Sequence, residues 1–318
     1  MKTKDYKGHL ALLGAAVCWG LMCYFGKIAL EPDSGVTGLT LVEMRMTCAA
    51  ICFWLASLFA PREHVRSKDL LKLFFAGLMG VVLNQGLFTI GLVRTSPIDA
   101  AVMTTMTPIV TMIAAALIIR EPVTGKKVIG IFLGALGALT LILSNKRAGG
   151  KAGDIWGDLL CLTAQISYAF YLTVFKGLIS RYSVITLMKW MFTYSAIIVI
   201  PFSYHQLSVT DFQAITPEIW GCVLYVIIGG TFCPYLLVIV GQKTLRPTVV
   251  SMYNYVQPIV SSIVSIATGL VVFNSTADVL VKVVAVVLVF TGVYVVTQSK
   301  SRAELLAEHA RRRQTNGE

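Results

Sequence analysis

Ten long apolar stretches separated by short polar connections run through almost the whole chain, at 9–30, 37–60, 70–93, 97–119, 127–144, 155–178, 184–203, 218–240, 247–270 and 279–298. Each is close to the roughly 20 residues a helix needs to cross a hydrocarbon core of about 30 Å. None shows the period-two alternation of a membrane β-strand. The connections carry charges and turn formers, among them Glu31-Pro-Asp-Ser-Gly35, Pro61-Arg-Glu-His64, Arg94-Thr-Ser-Pro97, Arg120-Glu-Pro122 and Ser144–Asp154. The pattern predicts an all-α integral membrane protein with ten transmembrane helices. The first stretch follows Lys2, Lys4 and Lys7, but it outlasts the apolar core of a signal peptide and lacks a small-x-small cleavage site. It therefore reads as an uncleaved first helix. Residues 300–318 are polar and charged and read as a tail outside the membrane.

Composition narrows the class. The chain is 56% hydrophobic and 14% charged, with a mean hydropathy of +0.75, against about 25% charged residues in soluble domains. A soluble enzyme, a disulfide-built secreted domain and a disordered chain are excluded. The seven cysteines all lie in apolar stretches without a Cys-x-x-Cys, and the histidines stand apart at 9, 64, 205 and 309. Neither a metal site nor a disulfide frame is supported, and no cofactor is implied.

The net charge of +11 would suggest nucleic acid in a soluble protein, but here the position of the basic residues explains it. With a cytoplasmic N-terminus, the inside segments hold Lys2, Lys4, Lys7, Arg62, Arg66, Lys68, Lys72, Arg120, Lys126, Lys127, Arg181, Lys243, Arg246, Lys300, Arg302 and Arg311–Arg313, 18 of the 27. The outside connections hold four: Arg94, Lys146, Arg147 and Lys151. That asymmetry puts both termini in the cytoplasm. The partners implied are anionic lipid heads and a small solute, and no nucleic acid. Oligomeric state stays open.

The chain also repeats itself at an offset of about 150 residues. Thr95-Ser-Pro97…Pro108-Ile-Val110 lies on Leu245-Arg-Pro247…Pro258-Ile-Val260, Gly80 on Gly230, Gly91 on Gly241, and Gly137 on Gly292. Gly8…Lys27 lies on Gly157…Lys176, with Trp19 over Tyr168. Each half (1–150 and 151–299) thus holds five spans, and an odd number turns the second copy upside down. Inverted repeats place a solute site near the midplane between the halves and favour alternating access.

The residues that carry this plan resemble the drug/metabolite transporter superfamily, in its EamA-like branch. They are Trp19 in the first span, Arg45 in the second, Asn84-Gln-Gly-Leu-Phe88 through Gly91 in the third, Pro108 and then Glu121 after the fourth, and Gly130 and Gly137 in the fifth. The similarity runs from about residue 8 to 298. It departs in the second half, where Thr276 stands near the counterpart of Glu121 and Ala285 replaces the counterpart of Gly130. The resemblance implies secondary transport, often export, of amino acids or other small metabolites across the cytoplasmic membrane.

Polar and aromatic side chains deep in spans are expensive in lipid and so become candidates for a solute site. Those read as substrate-binding are Trp19, Tyr24, Asn84, Gln85, Thr105, Gln165, Tyr168, Tyr235, Asn254, Tyr255 and Gln257. Interhelical hydrogen bonding is the other reading of each taken singly. Aromatic faces suit an amphipathic or aromatic solute, with an amine as one option.

Pro108 and Pro258 occupy matched places and read as hinges or packed kinks. Lys27 and Lys176 sit near opposite helix ends, as snorkelling or gating residues. Arg45, grouped with these as a gating residue, lies inside the second span, where it needs a partner on another helix or a wet cavity. Glu43, two residues away, is on a different face. Asp99 reads as a helix cap. Gly130, Gly134 and Gly137 form a small-residue face, for an internal seam or a dimer contact. No phosphate loop, nucleophile elbow or His-Glu-x-x-His is present, which argues against ATP-driven transport and hydrolysis. A passive channel and a membrane-embedded lipid enzyme are the remaining alternatives.

A reporter fused after Glu318 is expected to be active only in its cytoplasmic-sensing form; an external signal would overturn the charge-based topology.

Overall fold

A computed structural model describes residues 3–94, 103–144, 155–267 and 276–299. Every regular element among the described residues is helical. The first half gives α1 (Thr3–Ala29), α2 (Gly38–Leu58), α3 (Ser67–Gly77), a π-helical stretch Leu78–Gly86, α4 (Leu87–Arg94), α5 (Thr107–Ile118) and α6 (Gly125–Ser144). The second half gives α7 (Ile155–Val174), the short α8 (Lys176–Ile179), α9 (Val184–Val209), α10 (Pro217–Ile227), a second π-helical stretch Ile228–Phe232, and α11 (Cys233–Thr244). Then come α12 (Pro247–Met252), a 3-10 turn Tyr253–Tyr255, α13 (Val256–Ala267) and α14 (Thr276–Thr297).

Six continuous helices among the described residues are long and apolar enough to cross a bilayer: Tyr6–Gly26, Gly38–Leu58, Ser67–Gly91, Val184–Val209, Pro217–Thr244 and Leu280–Thr297. The starts follow local chemistry. Thr37, Ser183 and Thr216 accept hydrogen bonds from backbone N–H groups in the first turns of α2, α9 and α10, satisfying donors that lipid could not.

Among the described residues, three expected spans are not single helices. The stretch 247–270 divides at the 3-10 turn before Val256, and in 97–119 an irregular turn at Thr105–Met106 precedes α5. Pro108 and Pro258 therefore stand in the first turn of a new helix and not in mid-helix as expected. A proline's missing N–H costs nothing there, because a first-turn donor has no intrahelical acceptor. The stretch 155–178 also breaks, at Phe175 between α7 and α8.

These irregularities are paired. The π-helical stretches share the offset that puts Gly80 on Gly230, and the two proline-led helices share it as well. The packing is paired in the same way: α1 lies on α11 and α13, while its counterpart α7 lies on α4 and α5. Two further contacts map onto themselves, α2 with α9 and α6 with α14. The first helix of each half is thus embedded in the other half.

The exterior is apolar, with Leu58, Phe59, Leu117, Phe132, Phe202 and Val287 all exposed, as lipid contact requires. Between helices the hydrophobic effect has no purchase, so close packing holds them together. The α6–α14 seam shows this most clearly. A Cβ on Gly292 would lie 2.5 Å from the Gly130 carbonyl oxygen, and one on Gly137 would lie 2.6 Å from that of Ala285. The small-residue face of α6 is thus an internal seam, and the alternative of a dimer contact falls away.

Gly292→Ala is expected to force α6 and α14 apart and to cost about 1–3 kcal/mol. Thermal unfolding in detergent should show a lower midpoint, whereas Gly125→Ala, with open space around the added methyl, should leave it unchanged.

Candidate functional site

The centre of the bundle is organised around Arg45, which is only 3% exposed. Its Nε donates to Thr231 Oγ1 at 2.9 Å and its Nη2 to Gln85 Oε1 at 2.9 Å. Both acceptors lie in the π-helical stretches, one from each half. Arginine can only donate, so Gln85 must turn its oxygen toward the guanidinium and its amide nitrogen away. That nitrogen donates to Asn84 Oδ1 (3.1 Å), and Asn84 Nδ2 donates to the Ala164 carbonyl (3.0 Å). Thr231 passes its own proton to the Val226 carbonyl at 2.9 Å. One chain of bonds therefore links α7, the first π stretch, α2 and the second π stretch, with every orientation set by the arginine. No carboxylate lies within ion-pair distance of Arg45 among the described residues. Glu43 instead accepts from Thr47 and from Ser203 of α9, since two residues rotate a helix by about 200°.

Aromatic rings close in beside this network. Tyr235 donates to the Gly80 carbonyl at 3.3 Å. Its ring meets Trp19 edge-on with centroids 5.8 Å apart, and Phe192 likewise at 5.0 Å. Tyr168 is buried and stacks on Tyr171 at 5.9 Å. The Tyr171 hydroxyl reaches Gln242 Oε1 at 3.1 Å. Gln165 Oε1 accepts from Thr107 at 2.8 Å, which ties α7 to the start of α5, next to the buried Thr105. Gln257 donates to Asn254 Oδ1 at 3.3 Å within the break before α13.

Other expected site residues are placed elsewhere. Tyr255 is fully buried against α6, where its ring fills the space over Gly134 and its hydroxyl donates to the Ile131 carbonyl at 3.4 Å. Tyr24 is half-buried and packs edge-on against Phe25. Asp99 and the side chain of Lys27 lie outside the described residues.

A second polar cluster lies at one end of the bundle. There the connections expected on the cytoplasmic side are tied to one another. Arg181 Nη1 pairs with Asp69 at 2.7 Å, and the Ser183 backbone N–H donates to Glu63 Oε2 at 2.9 Å. Lys176 donates to the carbonyls of Gln242 and Leu245, closing the C-terminal end of α11 with a positive charge. It is a latch between helices and does not simply extend toward the surface.

Glu121 is buried and is held by Lys127 Nζ at 2.7 Å, Thr248 Oγ1 at 3.1 Å and, more loosely, Arg246 Nη1 at 3.9 Å. Arg120 takes a left-handed backbone, φ 52°, and the following N–H of Glu121 returns to the Ala115 carbonyl. This helix end turns Glu121 inward beneath α12. Sequence reasoning missed Thr231 and this cluster, although an unassigned Thr in the middle of the eighth span was a usable signal.

A polytopic helical bundle, apolar outside and polar at its centre, with broken and π-bulged helices in repeat-related pairs, defines a class of membrane carrier. The chain belongs to the EamA-like transporter family, whose profile matches it twice, at residues 6–143 and 155–298. It is a multi-pass membrane transporter and not an enzyme. Among its relatives, the Bacillus subtilis protein named Uncharacterized transporter YyaM is 25% identical over 227 residues, covering 71% of this chain and 72% of that one. Uncharacterized transporter YetK of the same organism is 23% identical over 267 residues, covering 82% and 79%. One solved crystal structure superposes with a TM-score of 0.72 at 15% identity, covering 92% of this chain and 98% of the other, which shows the fold.

Glu121→Gln strands the Lys127 ammonium in a buried place and is expected to cost about 3–5 kcal/mol. Adding Lys127→Met should restore part of that loss, as read from a double-mutant cycle on thermal unfolding.

Proposed function

We propose that the protein is a secondary transporter that exports small organic metabolites, amino acids or amphipathic amines, by alternating access. It works from the cytoplasmic (inner) membrane with both termini in the cytoplasm. Ten spans in two inverted repeats, 1–150 and 151–299, form its frame. The observation that carries this reading is the junction at Arg45, where irregular segments of both halves meet on one buried side chain. π-bulges and broken helices concentrate at functional sites, because their freed backbone groups and weakened ladders allow local rearrangement.

The swapped packing refines the movement. A rigid rocking of residues 1–150 against 151–299 would tear α1 from α11 and α7 from α4. The bodies that move as units are instead mixed: α1 with α11 and α13, and α7 with α4 and α5. The proline-led starts of α5 and α13 provide matched hinges. Trp19, Asn84, Gln85, Thr105, Gln165, Tyr168, Tyr235, Asn254 and Gln257 face the solute path between these bodies. The pairing of Glu121, Lys127, Arg246 and Thr248, together with the Lys176 latch, closes its cytoplasmic mouth. The chain of hydrogen bonds through Asn84 and Gln85 also supports the bland reading of interhelical glue, so the test must separate the two.

An overexpressing strain is expected to resist a subset of toxic amino acids, amines or dyes. The purified protein in liposomes should show saturable counterflow of the same solute. Tyr168→Ala and Gln257→Ala should each lower transport efficiency about tenfold with expression intact. Unchanged kinetics in both variants would remove the site assignment, and unsaturable flux without counterflow would make the protein a channel.

A further inference from the structure

The central arginine carries a charge that no carboxylate among the described residues neutralises. Both of its described bonds go to neutral acceptors, the Thr231 hydroxyl and the Gln85 amide oxygen. A guanidinium has five N–H groups, so three remain without a partner among the described residues, both of those on Nη1 included. The buried Lys127, by contrast, has Glu121 at 2.7 Å. An unpaired charge in a low-dielectric interior costs several kcal/mol, and neutral hydrogen bonds offset only part of that. A lysine would suit a mere tether better, because it has fewer donors to satisfy. The guanidinium fork instead matches a planar carboxylate in bidentate fashion. Apolar ring surface stands next to the fork, since Tyr235, flanked by Trp19 and Phe192, lies in the turn that follows Thr231.

Resting on the transporter reading above, we propose that Arg45 is a substrate-binding residue and that the transported solute carries a carboxylate which completes its coordination. The solute class is an amphipathic carboxylate, with an apolar or aromatic body laid against Tyr235 and Trp19. Amino acids fall within this class, and amines that lack an acidic group fall outside it.

The arrangement also explains why one residue joins the π-helical stretches of both halves. A carboxylate arriving at the fork competes with Thr231 and Gln85 for the same donors. Its binding therefore changes the bonds that hold the two stretches together, which couples occupancy to their relative position. A ligand can shift a conformational equilibrium only through such differential contacts.

Three matched probes separate the possibilities: L-phenylalanine, 3-phenylpropionate and 2-phenylethylamine share a phenyl body and differ in charged groups. Each is titrated against the purified full-length protein, with thermal protection and tryptophan fluorescence as readouts. The two carboxylates are expected to protect the wild-type protein and the amine is not. Arg45→Gln should weaken carboxylate protection about tenfold or more, the scale of losing a charged hydrogen-bond partner. Should that variant fail to elute as a folded species, Arg45→Lys serves instead. It keeps the charge without the fork, and should bind both carboxylates more weakly than wild type while still preferring them to the amine.

Equal protection by the amine, or undiminished carboxylate binding by Arg45→Gln, would overturn the inference. So would counterflow of a solute without an acidic group when no carboxylate protects, an outcome that leaves the transporter reading intact. Absence of counterflow for every solute would overturn that reading together with the inference.

Discussion

The hydrocarbon core supplies no water, so each polar group carried into it must find its partner within the protein. At Arg45 that constraint is most severe, because a donor-only side chain with a permanent charge lies almost fully enclosed. Its neighbours follow from it. Gln85 is oriented by the guanidinium, Asn84 by Gln85, and the Ala164 carbonyl receives the last donor. Thr231 accepts from the arginine and relays its own hydrogen to Val226. Four helical segments from both halves are thereby brought into one network, and the irregular turns of the two π-helical stretches sit where the network needs them. Helix packing supplies most of the cohesion, but the arginine decides which faces meet at the centre.

The interleaving of the halves has a similar physical origin. Two five-helix units sitting side by side would share one flat interface with little to bind it in lipid. Inserting the first helix of each unit against the third and fourth spans of the other produces several close seams instead. Small residues at those seams let backbones approach: Gly80 lies under Tyr171, and its counterpart Gly230 lies under Met22. The consequence for function is that motion cannot follow the boundary between repeats. It must follow the packed groups, and the proline-led helix starts lie within those groups.

Much of this was legible in the residues, for identifiable reasons. Apolar runs report which segments lie at membrane depth, and the spans with clean polar ends emerged as continuous helices. The repeat was readable because glycines and prolines at matched places have few substitutes. Hence Gly80 with Gly230 and Pro108 with Pro258 marked places that are irregular in the fold. The same apolar runs concealed the breaks themselves. A 3-10 turn or a π-bulge is as hydrophobic as the helix around it, so 247–270 read as one helix although its described part, up to residue 267, contains three pieces. Among the candidate site residues, Arg45, Gln85, Asn84 and Tyr235 stood out because each is costly in lipid. Thr231 did not, since a lone hydroxyl can satisfy itself on the preceding turn.

The sequence by itself determined the class of protein. Its apolar runs require helices in a membrane, and its internal duplication sets two similar halves. Those properties depend on local composition and are carried by each segment separately. Only the tertiary structure decided that Arg45 meets Thr231, 186 positions further along the chain. It also assigned Tyr255 to a packing seam and Lys176 to a helix end, and among the described residues it left the arginine without a carboxylate. Such facts depend on which faces of distant helices come together. In lipid that choice rests on shape and a few hydrogen bonds, and hydrophobic pattern, being the same on most faces, does not encode it.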